Sequence, residues 1–258
     1  MKEKLASIER LLNIMDELRA RCPWDRKQTF ESLRNLTIEE TYELADAILE
    51  DDREAIKKEL GDLFLHLVFY AKIGSETNDF DIKEIADSIS EKLIFRHPHV
   101  FGDTDVKNNP EIVKKNWEEL KIKEGNSSVL GGVPKSLPAM IKANRIQEKV
   151  KAVGFDWEEK SQIWDKVAEE LGELKSEIDR MDKEKTESEF GDLFFSLINA
   201  ARLYDIDPET ALEKTNRKFI KRFNYLEEKA LKSSRQLKDM SLKEMDEIWE
   251  EAKKRLPS

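Results

Sequence analysis

Apolar residues recur along this chain at three- and four-residue spacings, the period of helices with one buried face, and no stretch alternates with the period of two that a half-buried strand requires. The pattern predicts helices over about 2–20, 37–50, 53–74, 81–95 and 110–123, and again over about 138–151, 160–181, 184–204, 208–231 and 241–255. Thr37 with Glu40 three residues on reads as a capping box for the second helix. Asn109-Pro110 and Asp207-Pro208 read as helix starts, because a proline in the first turn loses no hydrogen bond. Between the two sets lies the densest cluster of breakers, Gly125-Asn126-Ser127-Ser128, Gly131-Gly132-Val133-Pro134 and Pro138. The expectation is an all-α chain with helical-bundle-like domains over 1–123 and 138–258, joined by a linker at 124–137.

The two sets are copies of each other. A shift of 130 residues lays Glu39-Glu40-Thr41-Tyr42-Glu43 on Glu169-Glu170-Leu171-Gly172-Glu173 without a gap. The same shift lays Glu59-Leu60-Gly61-Asp62-Leu63-Phe64 on Glu189-Phe190-Gly191-Asp192-Leu193-Phe194. From Glu39 to Ala71, 14 of 33 positions are identical, which marks a tandem duplication.

Composition narrows the classes. With 9 Gly and 7 Pro in 258 residues, disordered and collagen-like chains are poor readings. The 55 acids against 45 bases give a formal charge of −10, so no nucleic-acid partner is expected, because phosphate binding normally shows as a basic excess or a basic face. Cys22 is the single cysteine and has no partner for an internal disulfide. The N-terminus opens into a charged amphipathic pattern, and the longest apolar stretch, Leu63 to Ile73, is broken by His66 and Lys72 and is too short to span a bilayer. No membrane partner is expected, and a reducing cytoplasm is the simplest location.

The chemistry lies in the spacing of acids. Residues three apart on a helix share a face, since each advances about 100°. Glu40 with Glu43, Glu59 with Asp62, Glu170 with Glu173 and Glu189 with Asp192 therefore project in pairs. The 15 residues between Glu43 and Glu59, and between Glu173 and Glu189, suffice to turn and return, so each copy aims four carboxylates at one point. Like charges so placed repel unless cations neutralise them. Oxygen-only donors suit a hard cation, Mg²⁺ or Mn²⁺. One such pair alone in a Glu-rich chain is usually a solvated face. The matched spacing in both copies, beside apolar Leu44, Ile48, Leu63, Phe64 and Leu67, favours a metal site. Gly61 and Gly191, at matched helical positions, point to close helix approach there. A ferritin-like di-iron site needs Glu-x-x-His pairs, and none of His66, His97 and His99 follows a glutamate at that spacing. His66, one turn after Asp62, reads as a hydrogen-bonded neighbour of the site.

Cations form a second constellation. Lys92 with Arg96, and Lys218 with Arg222 preceded by Asn216, stand at i and i+4 in the two copies. They read as polyphosphate ligands, with solvated surface cations as the alternative. Trp117 and Trp249 each open a Trp-Glu-Glu segment, placed to stack on a nucleobase or to pack in a core. Trp24 and Trp157 read as packing anchors first and pocket walls second, and His97-Pro98-His99 as a structural loop.

Together these residues resemble the MazG family, the two-repeat nucleoside triphosphate pyrophosphohydrolases of the all-α NTP pyrophosphatase group. The resemblance rests on Cys22-Pro23-Trp24-Asp25 with Gln28-Thr29, the paired acids, Arg96-His97-Pro98-His99-Val100-Phe101, Val153-Gly154-Phe155-Asp156-Trp157, and Asn216-Arg217-Lys218-Phe219 with Arg222-Phe223. It implies Mg²⁺-dependent hydrolysis of nucleoside triphosphates to monophosphate and pyrophosphate, by in-line attack of a metal-activated water at the α–β linkage. It further implies Glu40, Glu43, Glu59 and Asp62, with Glu170, Glu173, Glu189 and Asp192, as metal ligands, and Glu39 and Glu169 as base candidates or partners of the ligands. Lys218 and Arg222 would hold triphosphate, Trp249 would lie near the base, and the protein would be a homodimer. The competing class is a non-catalytic helical interaction protein with a vestigial metal site.

Overall fold

Helix is the only regular structure among the described residues of the computed structural model, which are 1–107, 109–110, 112–113, 116–117, 120 and 128–256. They fall into two compact units, Met1–Asn108 and Asn109–Ser258. Much of the helix expected over 110–123, and the first part of the linker expected at 124–137, lie outside the described residues.

The first unit contains α1 (Lys2–Arg21), α2 (Phe30–Leu49), α3 (Arg53–Thr77), α4 (Ile82–Arg96) and the single turn α5 (Pro98–Phe101). Helix α2 starts seven residues before the expected 37. Its capping box is Thr29 with Ser32, whose backbone and side-chain groups exchange hydrogen bonds of 2.9 and 3.2 Å, and not Thr37 with Glu40. Thr37 sits mid-helix, where its hydroxyl donates to the Leu33 carbonyl at 3.0 Å and meets His66 Nδ1 and the Tyr70 hydroxyl at 2.7 Å each. The additional turns exist because Phe30, Leu33 and Leu36 already pack on Met15, Val68, Phe69 and Ile73, the core shared by α1, α2 and α3. Met15 and Leu33 are 1% exposed, and full burial of such a side chain stabilises by about 1.5–3 kcal/mol. Arg19 ties this core together from α1: it donates to the Asp25 and Gln28 carbonyls and to Glu76 Oε1 on α3 at 3.0 Å. The expected loop at His97-Pro98-His99 instead opens α5, with Pro98 in the first turn.

The second unit contains α6 (Ala139–Ala152), α7 (Ile163–Arg180), α8 (Lys183–Leu203), α9 (Pro208–Lys232) and α10 (Leu242–Arg255). Ile163, Ala200 and Leu203 join α7 to α8. Gln147 of α6 donates its side-chain amide to the Phe195 carbonyl of α8 at 2.8 Å. Gly154, at φ 88, ends α6 in the left-handed region that glycine adopts at no steric cost, and two residues on Asp156 accepts from Arg202 Nη1 of α8 at 3.2 Å. Helices α9 and α10 meet through Phe219 and Trp249, with ring centroids 4.9 Å apart. Trp24 and Trp157, expected as packing anchors, remain 56% and 38% exposed.

Both units make the same hairpin. Helices α2 and α3 pack together, as do α7 and α8. Each connection carries one left-handed residue, Asp51 at φ 53 or Met181 at φ 55, followed by an aspartate that caps the next helix. Asp52 accepts from the Glu54 and Ala55 amides at 3.0 Å, and Asp182 from the Lys185 amide at 3.2 Å. So short a reversal leaves the helices antiparallel, with the acid pairs of one facing those of the next.

Candidate metal centre

In the first hairpin a carboxylate oxygen from each of Glu40, Glu43 and Glu59 lies within 4.8 Å of the other two, and in the second the same holds for Glu170, Glu173 and Glu189. Asp62 and Asp192 stand one turn beyond Glu59 and Glu189, outside these trios but close enough to act on them through charge. Glu59 and Glu170 are each 6% exposed, while Glu43, Glu173 and Asp192 are exposed and Glu40, Asp62 and Glu189 half-buried.

The electrostatics separate two kinds of acid. Burial, and then the charges of Asp62, Glu43 and Glu59, push Glu40 above the usual carboxylate range. Loss of hydration, and then Glu173, Asp192, Glu170 and Glu177, do the same to Glu189. Acids held by structural cations move the other way: hydrogen bonds from Arg19 lower Glu76, and Arg235 with Ser241 holds Glu244 down to about 2. Glu40 and Glu189 are therefore short of positive charge, the condition that a divalent cation relieves. Oxygen donors within 4.8 Å of one another, with no sulfur or imidazole among them, fit a hard cation.

Two lysines already touch these acids. Lys58 Nζ lies 2.9 Å from Glu59, 3.5 Å from Asp62 and 4.0 Å from Glu43. Lys166 Nζ lies 2.6 Å from Glu170 and 3.1 Å from Glu169. Neither lysine belongs to the paired-acid pattern of the sequence, and nor does Glu177. That side chain is 8% exposed; one oxygen accepts from Arg180 and the other is buried without a hydrogen-bond partner. The signal was present, since Glu177 follows Glu173 by one turn and shares a face with it. The matching residue of the first copy is Ala47.

Other candidates fall around these centres. Glu39 and Glu169 are exposed and outside the trios. His66 is buried, with Nδ1 on Thr37, and burial lowers its pKa despite the opposing charge of Asp62, as suits a hydrogen-bonded neighbour. Its counterpart Ser196 donates to the Leu193 carbonyl at 2.9 Å. A Cβ at Gly61 or Gly191 would meet nothing within 4 Å, which corrects the expected close helix approach: these glycines face open space.

The cations are not drawn onto the acids. Lys92 is exposed and Arg96 half-buried at the end of α4. Lys218 and Arg222 are half-buried on α9, and among the described residues neither forms an ion pair with the trios. Arg222 Nη2 donates to the Leu256 carbonyl at 3.3 Å, while its Nε is buried without a hydrogen-bond partner. Asn216 donates to Glu213 at 3.2 Å, and Trp249 lies half-buried against Phe219.

Two helical hairpins, each converging carboxylates at matched positions, define a duplicated all-α protein with paired candidate centres for divalent cations. Comparison with known proteins places it more closely. The family described as the MazG nucleotide pyrophosphohydrolase domain matches residues 28–101 and again 158–226, and the chain belongs to that family. It is 44% identical to the nucleoside triphosphate pyrophosphohydrolase/pyrophosphatase MazG of Thermotoga maritima over 258 residues, 98% of each chain. It is 40% identical to the nucleoside triphosphate pyrophosphohydrolase of Escherichia coli over 96% of this chain and 97% of that one. A relative of Bacillus subtilis, YabN, is 47% identical over 93% of this chain and 50% of its own length.

Proposed function

We propose that this chain is a Mg²⁺-dependent nucleoside triphosphate pyrophosphohydrolase, releasing a nucleoside monophosphate and pyrophosphate, with Mn²⁺ as a substitute cation. The observation that carries the reading is the pair of carboxylate trios at equivalent positions of two hairpins, in a chain akin to proteins named for that activity. Glu40, Glu43, Glu59 and Asp62 hold the cation in copy one, and Glu170, Glu173, Glu189 and Asp192 in copy two. When bound, the cation neutralises phosphate charge and acidifies water. Lys218 and Arg222, with Asn216 beside them, bind triphosphate oxygens in copy two, and Lys92 and Arg96 do so in copy one. Trp249 offers its ring to the base. Glu169 and Glu39, each immediately before a ligand, accept the proton of the attacking water.

The reading includes a homodimer. Leu60, Phe64 and Leu67 on α3, and Phe190, Phe194 and Leu197 on α8, form matched stripes at i, i+4 and i+7 whose members are 37–58% exposed. Such stripes seek a helical partner, and a second copy would bring cations to acids that lack them in one chain. We place the protein in the cytoplasm. Among the described residues no helix is long and apolar enough to cross a membrane. With a formal charge of −10, nucleoside triphosphates rather than nucleic acid are the partners. The proposed division remains 1–123 and 138–258, with the join at 124–137.

Chromatography of products from purified protein, Mg²⁺ and a nucleoside triphosphate tests the activity: monophosphate and pyrophosphate are expected. Diphosphate and orthophosphate would indicate a phosphatase. No turnover of any triphosphate, with Mg²⁺ or Mn²⁺, would favour the interaction-protein class.

A further inference from the structure

The two cation centres are built from matched acids, yet among the described residues a lysine joins both helices of only the first. Lys58 precedes Glu59 by one residue and Asp62 by one turn, and its ammonium reaches Glu59 at 2.9 Å and Asp62 at 3.5 Å on its own helix. It also reaches Glu43 of α2 at 4.0 Å, so it bridges both arms of the hairpin. The matching residue in copy two is Ser188. Lys166 is no equivalent: its contacts, Glu169 and Glu170, are on its own helix, and among the described residues it makes no ion pair with α8. Copy two carries instead the additional buried carboxylate of Glu177, where copy one has Ala47.

We infer that Lys58 is an internal competitor for the first cation centre, so that copy one binds a divalent cation more weakly than it would without that ammonium. The inference rests on the reading of the carboxylate trios as divalent-cation sites. An ammonium and a divalent cation cannot both occupy the space among Glu43, Glu59 and Asp62, because their charges repel at that separation. Binding therefore requires the Lys58 side chain to swing outward. Its side chain is 66% exposed, so water solvates the displaced ammonium and the penalty is moderate. In the absence of a divalent cation, the same ammonium limits repulsion between the two arms of the hairpin. Among the described residues copy two has no such bridge, and its Lys166 meets Glu170 from the same helix.

Titration of the full-length chain with Mn²⁺, following the electron paramagnetic resonance signal of the free ion, tests this without reference to turnover. Glu170→Gln with Glu173→Gln isolates copy one, and Glu40→Gln with Glu43→Gln isolates copy two. In the first background, Lys58→Ser is expected to tighten Mn²⁺ binding about fivefold, the size of effect a screened surface charge has, and Lys58→Arg to leave it unchanged. In the second, Ser188→Lys is expected to weaken binding by a similar factor. Unchanged affinity in Lys58→Ser, with Mn²⁺ still bound, overturns the role of Lys58 and leaves the cation centres standing. Equal tightening by Lys58→Arg also overturns it, because the positive charge would then not be the cause. Absence of Mn²⁺ binding by the wild-type chain overturns the cation reading and this inference together.

Discussion

Copy one buries Glu59, on the second helix of its hairpin, and lays Lys58 over the cluster; copy two buries Glu170, on the first helix, and adds the buried Glu177. Around the first centre Thr37, His66 and Tyr70 form a hydrogen-bonded chain, whereas the matching positions of the second are Val167, Ser196 and Ala200. On the same face Phe69 of copy one is matched by Asn199, which accepts from Arg202 Nε at 3.0 Å. The acids that would hold a cation are common to both copies, and almost everything that would tune it differs. A duplicated site thus preserves the donors and lets charge balance and hydration drift around them. The difference predicts a centre in copy one whose two arms are bridged by an ammonium, and one in copy two with an additional buried carboxylate and a lysine on one arm alone.

The largest effect should come from the donors. Glu170→Gln with Glu173→Gln keeps side-chain size, and activity is expected to fall at least about 100-fold with helicity unchanged, because ligand charge is lost directly. Glu40→Gln with Glu43→Gln should cost less if copy two dominates, and steady-state kinetics of both variants decide between them. Glu250→Gln is the control, since that residue is exposed and, among the described residues, paired with Lys253, and it should change nothing. Equal losses from Glu250→Gln and from the donor pair would undo the assignment.

The second effect concerns the cores. Met15 is 1% exposed at the centre of the first unit, so Met15→Ala should destabilise that unit by about 2–5 kcal/mol. Calorimetry should show the transition of the first unit moving and that of the second staying in place. A single transition shifting as a whole would show that the units unfold as one.

A smaller effect is expected from Glu177→Gln. Removing a buried charge with an unpartnered oxygen should weaken Mn²⁺ binding to copy two several-fold while leaving copy one untouched. An unchanged isotherm would make Glu177 a purely structural partner of Arg180. The smallest effect is on stability against pH. Glu40 and Glu189 have folded-state pKa values above their unfolded values, so they bind protons more tightly when folded. Their contribution is therefore fully present below the ordinary carboxylate pKa and is lost as pH rises through the raised values. Metal-free protein should show this loss on thermal melts, and saturating Mg²⁺ should remove it. Glu76 and Glu244, lowered by Arg19 and Arg235, act in the opposite direction, and their contribution is lost as pH falls through their lowered values. The comparison of melts with and without Mg²⁺ isolates the hairpin acids.

Much of this was legible in the chain. The helices α3, α4 and α6–α10 follow the apolar period to within a few residues, because period alone dictates which face is buried. The start of α2 was not legible: Thr37 and Glu40 have the spacing of a capping box, but Phe30 and Leu33 gain more by packing on α1 and α3 than the chain would by beginning a helix at Thr37. The glycines misled for a related reason. Gly61 and Gly191 sit where a close approach was reasonable, and the space they face is open within this chain.

The acid pairs are a property of sequence, since spacing on a helix sets which carboxylates share a face, and the repeat at 130 residues fixes two such sets. That the pairs meet within 4.8 Å needed the hairpins, with Asp51 and Met181 in left-handed backbone and Asp52 and Asp182 capping the return. Which acid is buried, which lysine reaches across to the second helix and which carboxylate is pushed upward depend on side chains from helices that local spacing does not relate. Lys58 is one more surface lysine in the sequence; packing of α3 against α2 makes it a bridge across a charge cluster. Charge falls off with distance in space rather than along the chain, and only the tertiary structure sets those distances.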